Sequence, residues 1–195
     1  MVYPIESPKI TSNYGVIRNL FGTSKMHKGL DMISLTGNRV VKSVMNGKYR
    51  GAFYDAKGYG NYVVVEHDDG KRAIYAHLAS FEYIPKNSRI EEGTILGIEG
   101  STGSSTGIHL HFEVRDAPYF QRNHIDAAKY LGIKNEIGEV KKLEKEKKFG
   151  YTKEEAMEVV RECIGFEEQT MKYLDEYKYN FDLFAKIARA IKPIE

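Results

Sequence analysis

The sequence lacks several features that would assign it to a narrow class of protein. Its one cysteine, Cys163, excludes an intrachain disulfide and a CxxC metal pair, and we expect it to be a small apolar residue of a helix. No segment approaches the roughly 20 apolar residues that span a membrane, so we expect no membrane insertion. Basic residues form no run with interleaved aromatics, and the formal net charge is only +2, so nucleic-acid binding has no support.

The N-terminal stretch MVYPIESPKITSNYG lacks the basic and apolar regions of a secretory signal. We therefore expect the protein to be made in the cytoplasm. With 195 residues, of which 42% are hydrophobic and 29% charged, the chain can hold one good-sized soluble domain and a small appendage.

Residues 1–132 are rich in glycine and in short runs of β-type residues, and they contain little helical periodicity. The clearest runs are 60–67, 71–78 and 108–115. The first two flank Asp-Asp-Gly at 68–70, which predicts a hairpin because glycine accepts a positive φ. The fold class expected from this pattern is mainly β, with an antiparallel sheet.

The character of the chain changes after residue 132. Residues 133–150 carry nearly balanced lysine and glutamate, which predicts a charged linker or a solvated helix. Residues 151–195 show helical periodicity and predict a small all-α module of three helices. Thr152 and Glu155 have the spacing of a capping box at the start of its first helix. The aromatic residues of this module either form its core or bind a cell-wall ligand, and the sequence leaves both open.

Two pairs of residues carry metal-binding side chains at a short spacing. His109 and His111 are two apart in a β-type run, so they point to the same face of a strand. Imidazoles in a partly buried segment need partners, and a metal ion can be one of them. His27 and Asp31 are four apart, a spacing that places both on one face of a helix or of a strand. If one of the two strand histidines joins this pair, three protein ligands leave a position for water, as in catalytic zinc sites.

Three ordered motifs resemble a known family. The segments HKGLD, YAHL and STGSSTGIHLHFE resemble the signature of the lysostaphin/LytM family of zinc endopeptidases, which cut peptide bonds in bacterial peptidoglycan. The similarity covers residues 9–116. It implies a duplicated-hybrid-motif-like fold with a narrow groove over an antiparallel sheet and one Zn²⁺ per chain. Peptidoglycan peptide is then the expected substrate, and the bacterial cell wall the place of action.

The resemblance also implies roles for five residues. Matched position by position, His27, Asp31 and His111 correspond to the zinc ligands. His77 and His109 correspond to the catalytic pair that acts on the water and on the transition state. Which of these two is the general base is left open by the sequence.

Further residues are candidates for the groove itself. The run STGSSTG predicts either one wall of the groove or only a flexible connector. As a wall it would let a peptide backbone approach its small residues closely, and it contributes Ser104, Ser105 and Thr106 as candidate substrate-binding residues. Tyr14 and Tyr59 are added as aromatic candidates. The other two histidines, His67 and His124, are expected to be surface or locally hydrogen-bonded residues.

Two alternatives to a hydrolase are compatible with parts of the sequence. A non-catalytic wall-binding or activator protein could have the same fold, although all five polar positions hold competent residues. A lipoyl-like module, indicated by EGTILGIEG, would give no reason for the histidines and the aspartate. The missing signal favours a phage or prophage lytic enzyme, released during host lysis or associated with the virion. The sequence does not say which bond is cut.

Overall fold

Antiparallel strands dominate the first of two units into which the computed structural model divides the chain, Met1–Leu143 and Glu144–Glu195. Residues 1–20, 23–116, 123–140, 152–164 and 185–189 are described. The strands of the first unit, in chain order, are β1 (Pro8–Ser12), β2 (Ile17–Leu20), β3 (Thr23–Met26), β4 (Leu30–Ser34), β5 (Val40–Lys42), β6 (Gly47–Asp55), β7 (Gly60–His67), β8 (Arg72–Leu78), β9 (Ser80–Phe81), β10 (Arg89–Ile90), β11 (Ile95–Ile98), β12 (Leu110–Arg115), β13 (His124–Ile125) and β14 (Gly138–Glu139). One short helix, α1 (Ala127–Tyr130), accompanies them.

The largest sheet has nine strands in the order β10-β6-β7-β8-β12-β4-β1-β14, with β13 paired to β12. A three-stranded sheet of β5, β11 and β9 and the hairpin of β2 and β3 complete the strands of the described part. All pairings in the large sheet are antiparallel. The mainly antiparallel β fold predicted from the sequence is confirmed, including the hairpin of β7 and β8, whose Gly70 has a φ of 80°.

Strict alternation along β12 separates the core from a polar face. Leu110, Phe112 and Val114 are fully buried and belong to one hydrophobic cluster with Leu30 and Met32 of β4. Because side chains alternate along a strand, the residues between them point to the opposite face. That opposite face carries the histidines and carboxylates, so the packing of the core fixes the direction of the polar side chains.

Register brings three strands of this polar face together. His111 of β12 is opposite Asp31 of β4 on one side and Ala76 of β8 on the other. Directly opposed residues have Cβ atoms about 5 Å apart, so Asp31 and His111 are neighbours on one face. A regular β8 would send His77 to the other face, but its φ of 62° breaks the alternation. Its ring centroid lies 5.7 Å from that of His111.

The segment predicted as a linker or solvated helix begins differently in the structure. Ile133 is buried in the core, and Gly138–Glu139 form β14, which pairs with Lys9 and Ile10 of β1. An edge strand offers unpaired backbone groups, and a two-residue strand can satisfy them without any hydrophobic pattern. The sheet therefore continues into the range 133–150, and residues 141–150 lie outside the described residues.

His67 differs from its expectation as a surface or locally bonded residue. It is only 2% exposed, its Nδ1 lies 2.8 Å from the Tyr130 hydroxyl, and its ring stacks on that of Tyr130. Its Nε2 lies 3.4 Å from the hydroxyl of Tyr75, which is fully buried. Burial lowers the pKa of His67 to about 4, so this ring is neutral at pH 7. His124 bonds the hydroxyl of Tyr14 at 3.0 Å.

The second unit contains α2 (Lys153–Ile164) and a helical stretch at 185–189 among its described residues. The predicted capping box is confirmed. The Thr152 N–H donates to the Glu155 carboxylate at 2.7 Å, and the Glu155 N–H donates to Oγ1 of Thr152 at 3.2 Å. The other parts of the predicted three-helix module, 165–184 and 190–195, lie outside the described residues. No helix in the described ranges is long and apolar enough to cross a membrane.

Candidate metal centre

Three buried side chains meet on the polar face of the sheet. Nε2 of His27 lies 3.0 Å from Oδ1 of Asp31 and 3.1 Å from Nδ1 of His111, and the last two atoms are 2.8 Å apart. All three residues are less than 8% exposed. Bonds of about 2.0 Å to a tetrahedral ion would separate ligand atoms by about 3.3 Å, close to these distances. The three residues could therefore hold one metal ion.

Hydrogen bonds at the outer nitrogens favour this use of both rings. Nδ1 of His27 lies 2.7 Å from the carbonyl oxygen of Asn13, to which it can donate its proton. Nε2 of His111 lies 3.4 Å from Oε2 of Glu113, another acceptor. With the protons on the outer nitrogens, the inner nitrogens present lone pairs toward the Asp31 oxygen. Three acceptors that face one another repel, and a cation between them removes that repulsion.

The charges of the protein itself also attract a cation here. Without a metal ion, the inner nitrogens can carry the protons instead and donate to Asp31. Burial disfavours the carboxylate form of Asp31, but these hydrogen bonds from His111 and His27 outweigh it and hold its pKa well below the usual range. Burial disfavours a charged His111, yet hydrogen bonds to Asp31 and Glu113 raise its pKa overall. The cluster thus stabilises positive charge, whether a proton on His111 or a metal ion.

Arg18 holds the other oxygen of Asp31. Its Nη2 lies 2.5 Å from Oδ2 of Asp31 and also donates to Oγ of Ser12. This contact leaves Oδ1 for the centre and fixes the carboxylate plane. No sequence motif points to Arg18, because it lies in β2, 13 residues from Asp31, and a spacing pattern gives no signal for such a contact.

Glu113 is a second residue of the site that was not predicted from the sequence. It is 1% exposed and accepts hydrogen bonds from the hydroxyl of Tyr59 at 2.6 Å and from Nε of Arg115 at 2.7 Å. The available signal was the alternation that selected His109 and His111, since positions 113 and 115 continue the same face of β12. Glu113 therefore links His111 to Arg115, with which it forms a partly buried ion pair.

His77 and His109 lie beside the three-residue cluster. Their ring centroids are 4.8 Å apart, and Nε2 of His109 lies 3.7 Å from Oδ1 of Asp31. Nδ1 of His77 is 2.8 Å from the Thr102 carbonyl oxygen, and Nδ1 of His109 is 2.8 Å from that of Gly107. Donation to these carbonyls leaves both Nε2 atoms free to exchange protons. Burial, chiefly, lowers the pKa of His77 to about 4, so its ring is neutral at pH 7.

The loop STGSSTG is tied to the turn after β6. Ser104 N–H donates to the Gly58 carbonyl at 2.9 Å, and Thr102 Oγ1 accepts from the N–H of Asn61. Gly60 and Gly103 make this possible: both have positive φ, and a Cβ on either would lie 2.2–2.3 Å from atoms of the facing loop. The two loops are packed backbone to backbone.

An open cleft of about 260 Å³ runs over the cluster. It is lined by Arg18, Lys25, Met26, His27, Lys28, Lys57, Gly58, Tyr59, His77, Ser104, His111 and Glu113. The structure thus brings Tyr59 and Ser104 to the cleft. Ser105 is a neighbour of His109, with its Oγ 3.4 Å from Nδ1. Thr106 is exposed, and Tyr14 packs partly against the core. Neither Thr106 nor Tyr14 belongs to the lining that the described residues form.

The part of the chain that holds the cluster is similar to known proteins. A family model described as Peptidase family M23 matches residues 25–127. The chain is 36% identical over 118 residues to the DD-carboxypeptidase/endopeptidase Mpg of Neisseria meningitidis, which covers 58% of this chain and 26% of that relative. It is 27% identical over 128 residues to the murein hydrolase activator NlpD of Salmonella dublin, covering 66% of this chain and 32% of NlpD. The alignments thus span a third or less of these relatives.

A solved structure shares the fold. The catalytic domain of lysostaphin from Staphylococcus simulans superposes with a TM-score of 0.55 at 30% sequence identity. The superposition covers 63% of this chain and 91% of that domain. His27, Asp31 and His111 all lie within the residues 25–127 that the family model matches.

Proposed function

Because the chain belongs to peptidase family M23, we propose that it is a zinc-dependent endopeptidase that hydrolyses peptide bonds in bacterial peptidoglycan. The observation that carries the proposal is the group of three acceptor atoms within 3.1 Å of one another, with two further imidazoles beside it. We assign His27, Asp31 and His111 as the ligands of one Zn²⁺ per chain. Cysteine is missing from the cluster, and nitrogen and oxygen donors that leave a position for water are typical of catalytic zinc.

Zinc, when bound, would polarise the scissile carbonyl and make a water molecule more acidic. The chain's own residues then move the protons. His77 is neutral at pH 7, so its Nε2 can accept a proton from the attacking water and return it to the leaving amine. His109, when both of its ring nitrogens carry protons, can donate through Nε2–H to the developing oxyanion while Nδ1–H stays on the Gly107 carbonyl, or the two rings can exchange these roles. Carbonyls of Thr102 and Gly107 hold both rings in place.

A set of single substitutions tests the assignment. His27→Ala, Asp31→Ala and His111→Ala should each lose zinc. His77→Ala and His109→Ala should keep one zinc per chain and lose about 10²- to 10⁴-fold in turnover, the usual contribution of a general acid or base. Zinc content is measured by atomic absorption and turnover by the release of peptides from isolated cell walls. If His109→Ala removes the metal as readily as His111→Ala, the assignment of ligands is wrong.

A non-catalytic activator on the same fold is the competing function, and the similarity to NlpD favours it. A turbidity measurement on cell walls distinguishes a hydrolase from an activator. The zinc-loaded protein should lower the turbidity of a wall suspension by itself if it is a hydrolase. An activator would lower the turbidity only when a second hydrolase is added.

We also propose that the protein acts at the cell wall as a phage or prophage lytic enzyme.

A further inference from the structure

Exposed lysines line the cleft over the metal centre. Lys25, Lys28 and Lys57 all contribute to the lining and all three are exposed, so their ammonium groups reach solvent in the cleft. The whole chain has a formal net charge of only +2. Positive charge is thus concentrated at the place where a substrate would bind.

These lysines come from two sides of the centre. Lys25 lies in β3, and Lys28 lies two residues before the start of β4. Lys57 lies in the turn between β6 and β7. In the sheet, β12 and β8 separate β4 from β7 and β6, and these two middle strands carry His111 and His77. A peptide bound over the centre would therefore have a cation on either side of the bond to be cut.

The three lysines are not held in ion pairs by the part of the chain that the structure describes. Among the described residues, none of the three has an acidic partner within 4 Å. The carboxylates of the cleft are already used, since Asp31 faces the centre and Arg18, and Glu113 is buried against Arg115. A cleft lined by charges of one sign raises the local concentration of ligands of the opposite sign.

We propose that the cleft selects peptidoglycan peptides that carry free carboxylates next to the scissile bond. Unamidated acidic residues of a stem peptide would meet the lysines, whereas an all-glycine bridge or an amidated stem would leave the positive charges without partners. This inference rests on the proposed function and names its substrate class.

A matched pair of substrates tests it. One cross-linked stem peptide is prepared with free side carboxylates and with the same groups amidated, and kcat/KM is measured for both by liquid chromatography and mass spectrometry. At about 0.01 M ionic strength, where the Debye length is about 30 Å, we expect a preference of about tenfold for the carboxylate form. At about 1 M, with a Debye length of about 3 Å, the preference should fall toward one.

Substitution identifies the groups responsible. The combined variant Lys25→Gln, Lys28→Gln and Lys57→Gln should lose the low-salt preference, and its zinc content reports that the site has folded. Lys48→Gln is the matched control, because Lys48 is exposed at the start of β6, about 20 Å along the strand from the turn that holds Lys57. This control should keep the preference.

Equal kcat/KM for the two peptides at low salt would overturn the inference, as would a preference that survives in the combined variant. Failure to cleave either peptide or cell walls would instead overturn the proposed function. In that case the dissociation constants of the carboxylate and amidated peptides would be measured by calorimetry on the zinc-loaded protein at low salt. Binding about tenfold tighter for the carboxylate peptide would support the inference, and equal binding would overturn it.

Discussion

Replacing Glu113 by glutamine should weaken zinc binding although Glu113 is not a proposed ligand. Burial opposes ionisation of this carboxyl, but hydrogen bonds from His111 and Tyr59 lower its pKa to about 2. It is therefore a full negative charge at pH 7. It accepts from three donors: Nε2 of His111, the hydroxyl of Tyr59 and Nε of Arg115. Glutamine has the same shape but one acceptor oxygen and no charge.

The size of the effect follows from this geometry. One half of the glutamine side chain is a donor, so at least one of the three donors loses its acceptor, and the His111 ring loses the charge that makes it more basic. Loss of an outer hydrogen-bond partner of a metal-binding histidine costs about 10- to 100-fold in metal affinity. That range is about 1.4–2.7 kcal/mol.

The assay is a competition for zinc against a chelating dye at pH 7. Glu66→Gln is the matched control, because Glu66 also pairs with an arginine, at 2.8 Å from Nη2 of Arg72, and lies in β7 away from the metal centre. The control should bind zinc like the unaltered protein. Melting curves in excess EDTA separate a loss of metal affinity from a loss of folding. An unchanged zinc affinity in a folded Glu113→Gln variant would refute the role given to Glu113.

Three further outcomes are expected. The free energy of unfolding should fall by about 3 kcal/mol between pH 6.5 and 4 because of His67. Its pKa of about 4 in the folded protein lies below the unfolded value of 6.5, so the unfolded chain binds the proton first. The pH dependence of this free energy, measured by urea titration, should be flatter in His67→Gln, and equal slopes would contradict the prediction. Gly100→Ala should destabilise the fold by about 1–3 kcal/mol, because the new Cβ would lie 2.2 Å from the backbone nitrogen of Ala79, and an unchanged melting temperature would refute that packing. Deleting residues 144–195 should leave cleavage of a soluble peptide intact, since those residues form a separate unit, while sedimentation with cell walls reports whether that unit anchors the enzyme.

Much of the sheet could be predicted because its signals are local. The Asp-Asp-Gly turn and the β-type runs beside it fixed one hairpin, and alternation placed His109 and His111 on one face. The strand β14 could not be predicted, because two residues that pair with β1 need only backbone groups and carry no hydrophobic pattern.

In the candidate metal centre, too, only the features with a local sequence signal could be predicted. The spacing of His27 and Asp31 and the family resemblance pointed to the residues that the structure brings together. Contacts made across the fold gave no such signal. Arg18 reaches Asp31 from a separate hairpin, and His67 is buried because Tyr130, 63 residues later in the chain, covers it. The partners of a polar residue depend on tertiary packing, which a spacing does not encode.

The backbone contact between the loop that carries Ser104 and the turn that carries Lys57 has a consequence for engineering. A side chain at Gly60 or Gly103 would collide with the opposing loop, so neither loop can change length or course by itself. To transfer substrate specificity from a relative, both segments would have to be replaced together. Swapping one alone should yield insoluble or misfolded protein.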